Sequence, residues 1–490
     1  MNIRRYAWVI ELLAASVVVL LVLYTINHTV IKRDNLGYSS LSRTLPDYYA
    51  QPADSVDVLL LGTSKTMSGL MPAILWHEYG ISSHLLAGTG QAPLLSYYLL
   101  EEALKSQHPK AVVVEGNMLL RINNLDYLDE AYYATIDHIP LSLTKIKLAL
   151  EMWSYAEYAS PEVTLLPFIR YHQRWLKLTK TDFVLDPIYR RSLHGAWLWP
   201  ARRVQLAEGY MAIDDGGAAI VDFAGIYMQR IADLCAHEGI QLVIVNMPDQ
   251  NWSTSRSDLT MAWGQERGVP VIELNDSDNM AELVLEPGVD LFDPSHLSKE
   301  GAVKATRIVG RFLRDAGVPD RRGTALEAEW NLDYDFYEAY RRVVDLRDTT
   351  DPGTWLQFVN NPDYTVLIVS RLDMTEALVG DVPWLLSQLG VKANLTATPT
   401  WSYIGIVRGG QTIYEQFEDE PITYDTDLAD GRHVRISSNT DEPNPSIVLM
   451  DGIHQGGGQQ GITFVVYSHQ MRSVVDVITL NSSPPRHFIR

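Results

Sequence analysis

Val56-Asp57-Val58-Leu59-Leu60-Leu61-Gly62-Thr63-Ser64-Lys65-Thr66 is an apolar run that stops at a glycine and gives way to polar residues. A short, nearly continuous apolar run ended by turn residues marks a strand buried on both faces. Val56 to Leu61 is therefore expected to be the first strand of an α/β unit. Ser64 falls at its carboxyl end, where open parallel sheets place their sites. A serine hydroxyl is a poor nucleophile until a base takes its proton, and that base needs a carboxylate to fix its tautomer. Asp293-Pro294-Ser295-His296 supplies both groups from one loop, just ahead of a helix. Gly-x-Ser alone is common wherever strands turn. The order Ser64, Asp293, His296 is what singles these residues out, as nucleophile, orienting carboxylate and general base.

Strand and helix signals alternate outward from that run. Pro72 to Tyr79 is expected as a short helix, His84 to Ala87 as a second strand, Ala92 to Ser106 as a helix and Ala111 to Glu115 as a third strand. Gln241 to Asn246 and Val269 to Glu273 resume the strands after helical Tyr227 to Glu238, with helical Leu259 to Arg267 between them. Such alternation implies a parallel sheet covered on both faces. The last helix is expected from Ser298, its N-cap, to Gly317, with Ala302, Ala305, Ile308, Val309, Phe312 and Leu313 inward.

The expected domains are a catalytic body over 53–318, interrupted by an insert at 118–226, then a linker helix at 319–352 and a β-rich accessory domain over 353–490. The insert carries Trp153, Tyr155, Tyr158, Trp175, Trp197 and Trp199. A helical subdomain burying these rings in its own core is the first expectation, and a cap whose exposed rings stack on sugars is the alternative. The linker helix is placed around Asp333 to Leu346. Beyond it, Tyr364 to Ser370, Tyr403 to Val407, Val434 to Ser438, Ile447 to Met450, Ile462 to Tyr467 and Val474 to Thr479 alternate with glycine-rich turns, and Pro383 to Leu389 is the domain's one expected helix.

Ala7 to Ile26 is apolar except for Glu11 and Thr25, follows Arg4 and Arg5, and has a length suited to the bilayer core. It is expected to be an uncleaved, single-pass anchor (1–26) that leaves the body outside the cytoplasm, joined by a polar connector (27–52), with a cleaved signal peptide as the alternative. The 60 acidic and 40 basic residues give a net charge of −20, which argues against nucleic acid as a partner. The one cysteine, Cys235, excludes an intramolecular disulfide and is expected to be a buried structural thiol. No histidine or cysteine cluster has metal-ligand spacing, and no phosphate loop or dinucleotide fingerprint occurs, so no cofactor is expected.

Acyl transfer also needs donors for the developing oxyanion. The backbone N–H of Ser64, the loop Gly88-Thr89-Gly90-Gln91 and the side chain of Asn117 are the candidates, with Gly90 and Asn117 ahead of Gly88.

Taken in order, Gly62-Thr63-Ser64, Gly88-Thr89-Gly90-Gln91, Val112-Val113-Val114-Glu115-Gly116-Asn117 and Asp293-Pro294-Ser295-His296-Leu297 resemble the blocks of the SGNH (GDSL-like) hydrolase superfamily. The resemblance covers about residues 54 to 317. Trp76-His77-Glu78-Tyr79-Gly80 and Phe292 to Ser298 are similar to a narrower group, membrane-anchored SGNH proteins of bacterial surface-polysaccharide loci akin to DltD and the alginate acetylation proteins. Thr63 and Lys65 depart from the usual first block. The resemblance implies a flavodoxin-like three-layer fold, a Ser64–His296–Asp293 acyl-enzyme and a membrane-bound O-acyltransferase as partner. Ser402 to Val407 and Gly461 to Val466 are similar to the interleukin-like EMT inducer (PANDER-type) domain, which implies a carbohydrate-associated module.

The expected function is a bacterial, membrane-anchored serine O-acyl transferase, in particular an O-acetyl transferase, acting on a cell-surface polysaccharide. A carbohydrate O-acetyl esterase with the same triad and a non-catalytic glycan-binding or assembly protein are the alternatives.

Overall fold

The computed structural model of the chain describes residues 7–30, 41–120, 133, 135–156, 159–178, 193–204, 219–275, 283, 285–286, 288–440, 445–481 and 488–489. The chain divides into two compact units, the first running to Tyr334 and the second from Asp335. The passage between them lies within one helix, Glu327–Asp348.

The first unit is built on a parallel sheet of β1 (Val58–Gly62), β2 (Ser83–Ala87), β3 (Ala111–Glu115), β4 (Gln241–Asn246) and β5 (Val271–Glu273). Their order is β2-β1-β3-β4-β5, the flavodoxin-like doubly wound arrangement. Registers such as Leu61↔Leu86, Leu61↔Val114 and Val114↔Ile244 keep the carboxyl ends of β1 to β4 in line. Alternate side chains project to opposite faces. Leu59, Leu61, Val112, Val114, Leu242 and Ile244 share one core with the helices Pro93–Ala103 and Asp222–Glu238. Leu60, Val113 and Val243 are just as buried on the alternate positions. The helices Pro72–Tyr79 and Lys299–Asp315 pack on each other, so closely at Gly310 that a Cβ there would lie 2.4 Å from the Tyr79 ring. Burial on both faces is why these strands are apolar without alternation.

Most of the expected elements lie where the sequence places them, with ends moved by a residue or two. The strand expected from Val56 begins at Val58, and Leu259 to Arg267 proves to be the end of a longer helix, Thr254–Arg267, capped by Ser253. The connector is not wholly irregular: Leu41–Tyr49 is helical, buries Leu45 and Tyr48, and donates the Tyr48 hydroxyl to the Ala103 carbonyl at 2.9 Å. The linker helix expected around Asp333 to Leu346 is longer than that. Glu327–Asp348 buries Trp330, whose ring stacks 5.3 Å from Trp76, while Asn331 accepts the Trp76 indole N–H at 2.9 Å. Cys235 is buried, which pushes its thiol up to about 12.

Among the described residues the insert is helical at Leu143–Tyr155, Pro161–Leu165 and Pro167–Tyr171 but irregular over 193–204, and Trp153, Tyr155 and Trp175 are exposed rather than cored. Tyr158 lies outside the described residues. The expected anchor coincides with the helix Ala7–Val30, 24 residues long. Among the described residues no helix is long and apolar enough to cross a membrane; the side chains at 7–10, 13, 20 and 27–30 are outside that set.

The second unit pairs two antiparallel sheets. Six strands, in the order 411–418, 402–408, 364–371, 461–468, 473–480 and 488–489, form one, and 422–427, 433–438, 447–450 and 453–456 form the other. Leu367, Ile404 and Val465 of the first share a core with Val434, Ile436 and Val448 of the second. Two helices belong to this part of the chain besides Glu327–Asp348: the expected one, Val382–Leu389, and Pro352–Val359, whose buried Trp355 donates to Asp476 at 2.9 Å.

Buried Asp57, just ahead of β1, receives Arg321 Nε and Nη2 at 2.7 Å each, tying the chain after the helix Lys299–Asp315 to the start of the sheet. Removing one partner strands a buried charge. Arg321→Ala is expected to destabilise the first unit by about 2–3 kcal/mol, read as a lower urea midpoint; an unchanged midpoint would show that the pair contributes nothing.

Candidate active site

The turn that carries Ser64 is held by a buried carboxyl group. β1 ends at Gly62, Thr63 caps the short helix Ser64–Gly69, and Ser64 is its first residue. Glu115, the last residue of β3 and fully buried, accepts the Thr63 N–H at 2.7 Å, the Thr63 hydroxyl at 2.8 Å and the Thr66 hydroxyl at 2.8 Å. Glycine at 62 is what permits this closeness. A Cβ there would lie 2.0 Å from Thr66 Oγ1 and 2.8 Å from Glu115 Oε2.

The second half is a tight two-residue turn. Leu291–Asp293 pairs with His296–Leu297, with Asp293 opposite His296 and Pro294-Ser295 at the turn. The Ser295 N–H donates to Asp293 Oδ1 at 2.7 Å, which holds the carboxylate in place. His296 Nδ1 lies 2.9 and 2.8 Å from the two Asp293 oxygens, and His296 Nε2 lies 2.8 Å from Ser64 Oγ. A carboxylate can only accept, so Nδ1 carries the proton and Nε2 is left to accept from the serine. The structure thus brings Ser64, Asp293 and His296 into one hydrogen-bonded line.

Residues that sequence reasoning did not single out hold the two halves together. Asp249, on the loop after β4, pairs with Lys65 Nζ through one oxygen and accepts the Ser295 hydroxyl at 2.8 Å through the other. The Gln250 N–H donates to the Pro294 carbonyl at 2.8 Å, and Asn275, after β5, accepts the Asp249 N–H at 3.1 Å. The residue after the serine is thereby fastened to the residue before the histidine. Burial raises the Asp249 carboxyl, but Lys65 and the hydrogen bonds from Lys65, Asn251 and Ser295 outweigh it and hold the group below the usual carboxylate range. The only sequence signal was Lys65 itself, an unusual residue beside the candidate nucleophile.

The oxyanion candidates sit on the flanking loops at the same edge of the sheet. Gly90, with φ of +64°, follows β2, and Asn117 opens a four-residue helix after β3. Neither is hydrogen-bonded to a triad side chain among the described residues. The Gly88 N–H is engaged by the Gly62 carbonyl at 3.3 Å. The end of the insert also reaches this edge: the Trp197 N–H donates to the Met67 carbonyl at 2.8 Å, and the Trp199 ring stacks on Phe292 at 4.3 Å.

No protein-family model matches the chain, and no curated protein does. Crystal structures that align with it include the following two. One is a GDSL-like lipase from Bacteroides thetaiotaomicron, 10% identical over 57% of this chain and 100% of its own, with a TM-score of 0.28. The other, described as an acylhydrolase from Bacteroides fragilis, is 11% identical over 58% of this chain and 99% of its own, also with a TM-score of 0.28.

Lys65→Met tests the strap between the two halves. The depressed Asp249 carboxyl of the wild type contributes stability that is present above the unfolded value and lost only as pH falls through the lower folded one. Without the ammonium that stabilisation is lost, while burial still disfavours the charged carboxylate. The wild type should exceed the variant in melting temperature by more at about pH 6 than at about pH 3. An equal gap at both would contradict the pairing.

Proposed function

We propose that the chain is a serine enzyme of acyl transfer that forms an acyl-enzyme on Ser64. The observation that carries this is the continuous contact from Ser64 Oγ through the His296 ring to Asp293, at 2.8 Å on either side of the imidazole. In the first step Ser64 Oγ attacks an ester carbonyl while His296 Nε2 takes its proton, and Asp293 steadies the imidazolium. The backbone N–H of Ser64, Gly90 and the Asn117 side chain are proposed to receive the oxyanion. His296 then returns the proton to the leaving alcohol. In the second step it deprotonates an acceptor hydroxyl, which takes the acyl group and frees Ser64.

The acceptor decides between esterase and transferase. Asp293 is 37% exposed and His296 24%, so water can reach the triad, which favours hydrolysis in the absence of a competing hydroxyl. The more specific reading is an O-acetyl transferase of a bacterial cell-surface polysaccharide, anchored by Ala7–Val30 with its body outside the cytoplasm and supplied by a membrane-bound O-acyltransferase. It is supported by the polysaccharide-locus resemblance of Trp76 to Gly80 and Phe292 to Ser298 and by the apolar character of the amino-terminal helix. The β-rich unit would then serve as a carbohydrate-associated module.

The test is acetyl release from p-nitrophenyl acetate by the full chain in detergent. Ser64→Ala should remove essentially all turnover, and Asp293→Asn should lower kcat by about 10³–10⁴-fold. Mass gain on an added oligosaccharide would select transfer over hydrolysis. Identical rates for wild type and Ser64→Ala would overturn the assignment.

A further inference from the structure

The helix Leu143–Tyr155 is apolar on two sides. Its inner side, Thr144, Lys145, Leu148, Ala149 and Met152, is buried. Tyr98 and Arg230 both hydrogen-bond Glu151, which fixes that side toward the body. In a water-facing helix the opposite side should be charged. Here it carries Leu143, Ile146, Leu150 and Trp153, which fall within roughly an 80° arc at 100° per residue. They are 76%, 37%, 52% and 51% exposed, and the preceding Leu141 is 73% exposed.

Exposed apolar side chains also occur on the segments that adjoin it. Leu143–Tyr155 contacts the short helix Pro161–Leu165, which contacts Pro167–Tyr171 and so leads to the turn His172–Lys177. That turn exposes Trp175 at 49% and Leu176 at 93%. Both Pro167–Tyr171 and His172–Lys177 lie against Ala7–Val30, which itself exposes Leu12, Val17, Val18, Leu21 and Val22. Exposed apolar side chains gathered on adjoining elements mark an interaction site, and exposed tryptophans such as Trp153 and Trp175 suit a boundary between hydrocarbon and water.

We infer that the outer face of Leu143–Tyr155, with Trp175 and Leu176, docks on the lipid surface beside the amino-terminal helix. This rests on reading Ala7–Val30 as the anchor. Continuity with that helix selects lipid as the occupant over a second copy or a soluble partner. The body is then held against the bilayer at two places rather than swinging on a tether, and acyl donors and acceptors are met at the membrane surface. Apolar burial, not charge, drives the docking, so neutral phospholipid suffices.

Cys235, buried and with its thiol pushed up to about 12, leaves the chain open to single-site labelling. Nitroxides are placed by Leu150→Cys, Leu176→Cys and Val18→Cys on the full chain reconstituted in phosphatidylcholine vesicles, with Glu266→Cys as an aqueous reference (its side chain is 73% exposed). Relaxation by oxygen is compared with relaxation by a water-soluble nickel chelate. The expected result is oxygen dominance at 150 and 176, the reverse of the reference. Nickel dominance at 150 and 176 overturns the docking whatever the label at 18 reports. Shielding of 150 and 176 from both reagents also overturns it, in favour of a protein contact. Nickel dominance at 18 with oxygen dominance at 150 and 176 supports the docking and overturns the anchor instead.

Discussion

The carboxyl group of Glu115 is the fixed point from which the site is built. A buried carboxyl must have its oxygens satisfied, and here the donors come from Thr63 and Thr66 on either side of Ser64. Because Glu115 ends β3 and β3 pairs with β1, the group is positioned by the sheet itself. It fixes where the helix after β1 begins, and so where the serine hydroxyl stands. Gly62 is part of the same arrangement, since any side chain there would occupy the space between the threonine and the carboxyl.

From that point the remaining geometry follows by fastening one loop to another. Lys65 extends the nucleophile turn to Asp249, Asp249 extends it to Ser295, and Ser295 sits between Asp293 and His296. Each link joins a loop at the carboxyl edge of the sheet to its neighbour. The 2.8 Å separation between Ser64 and His296 is thus held from both ends rather than by the two side chains alone. Rigid support of this kind is what a near-attack geometry requires.

How much of this the sequence displays depends on what each element buries. Strands covered on both faces are continuous apolar runs, so β1 to β4 stand out, and the triad is legible because order and position along the sheet constrain it. Gln411–Glu418 and Ile422–Asp427 were not expected, because each lies at the edge of its sheet and mixes polar with apolar residues. Leu41–Tyr49 is missed because, among its described side chains, only Thr44, Leu45 and Tyr48 are buried, too short a pattern to stand out. Glu115 and Asp249 are ordinary acids in sequence; only pairing between distant loops gives them their roles. The exposed rings at 153, 155 and 175 run against the usual rule that aromatics seek a core, and such departures point to a surface with an occupant.

The central claim is that Ser64 is a nucleophile activated by His296. The most direct measurement is intact-mass and peptide analysis after exposure of the full chain to a fluorophosphonate, which reacts with activated serines. The account predicts one adduct, on the peptide containing Ser64, and its loss in a folded His296→Ala variant. An adduct on a different residue, or an unmodified wild-type protein, would contradict it.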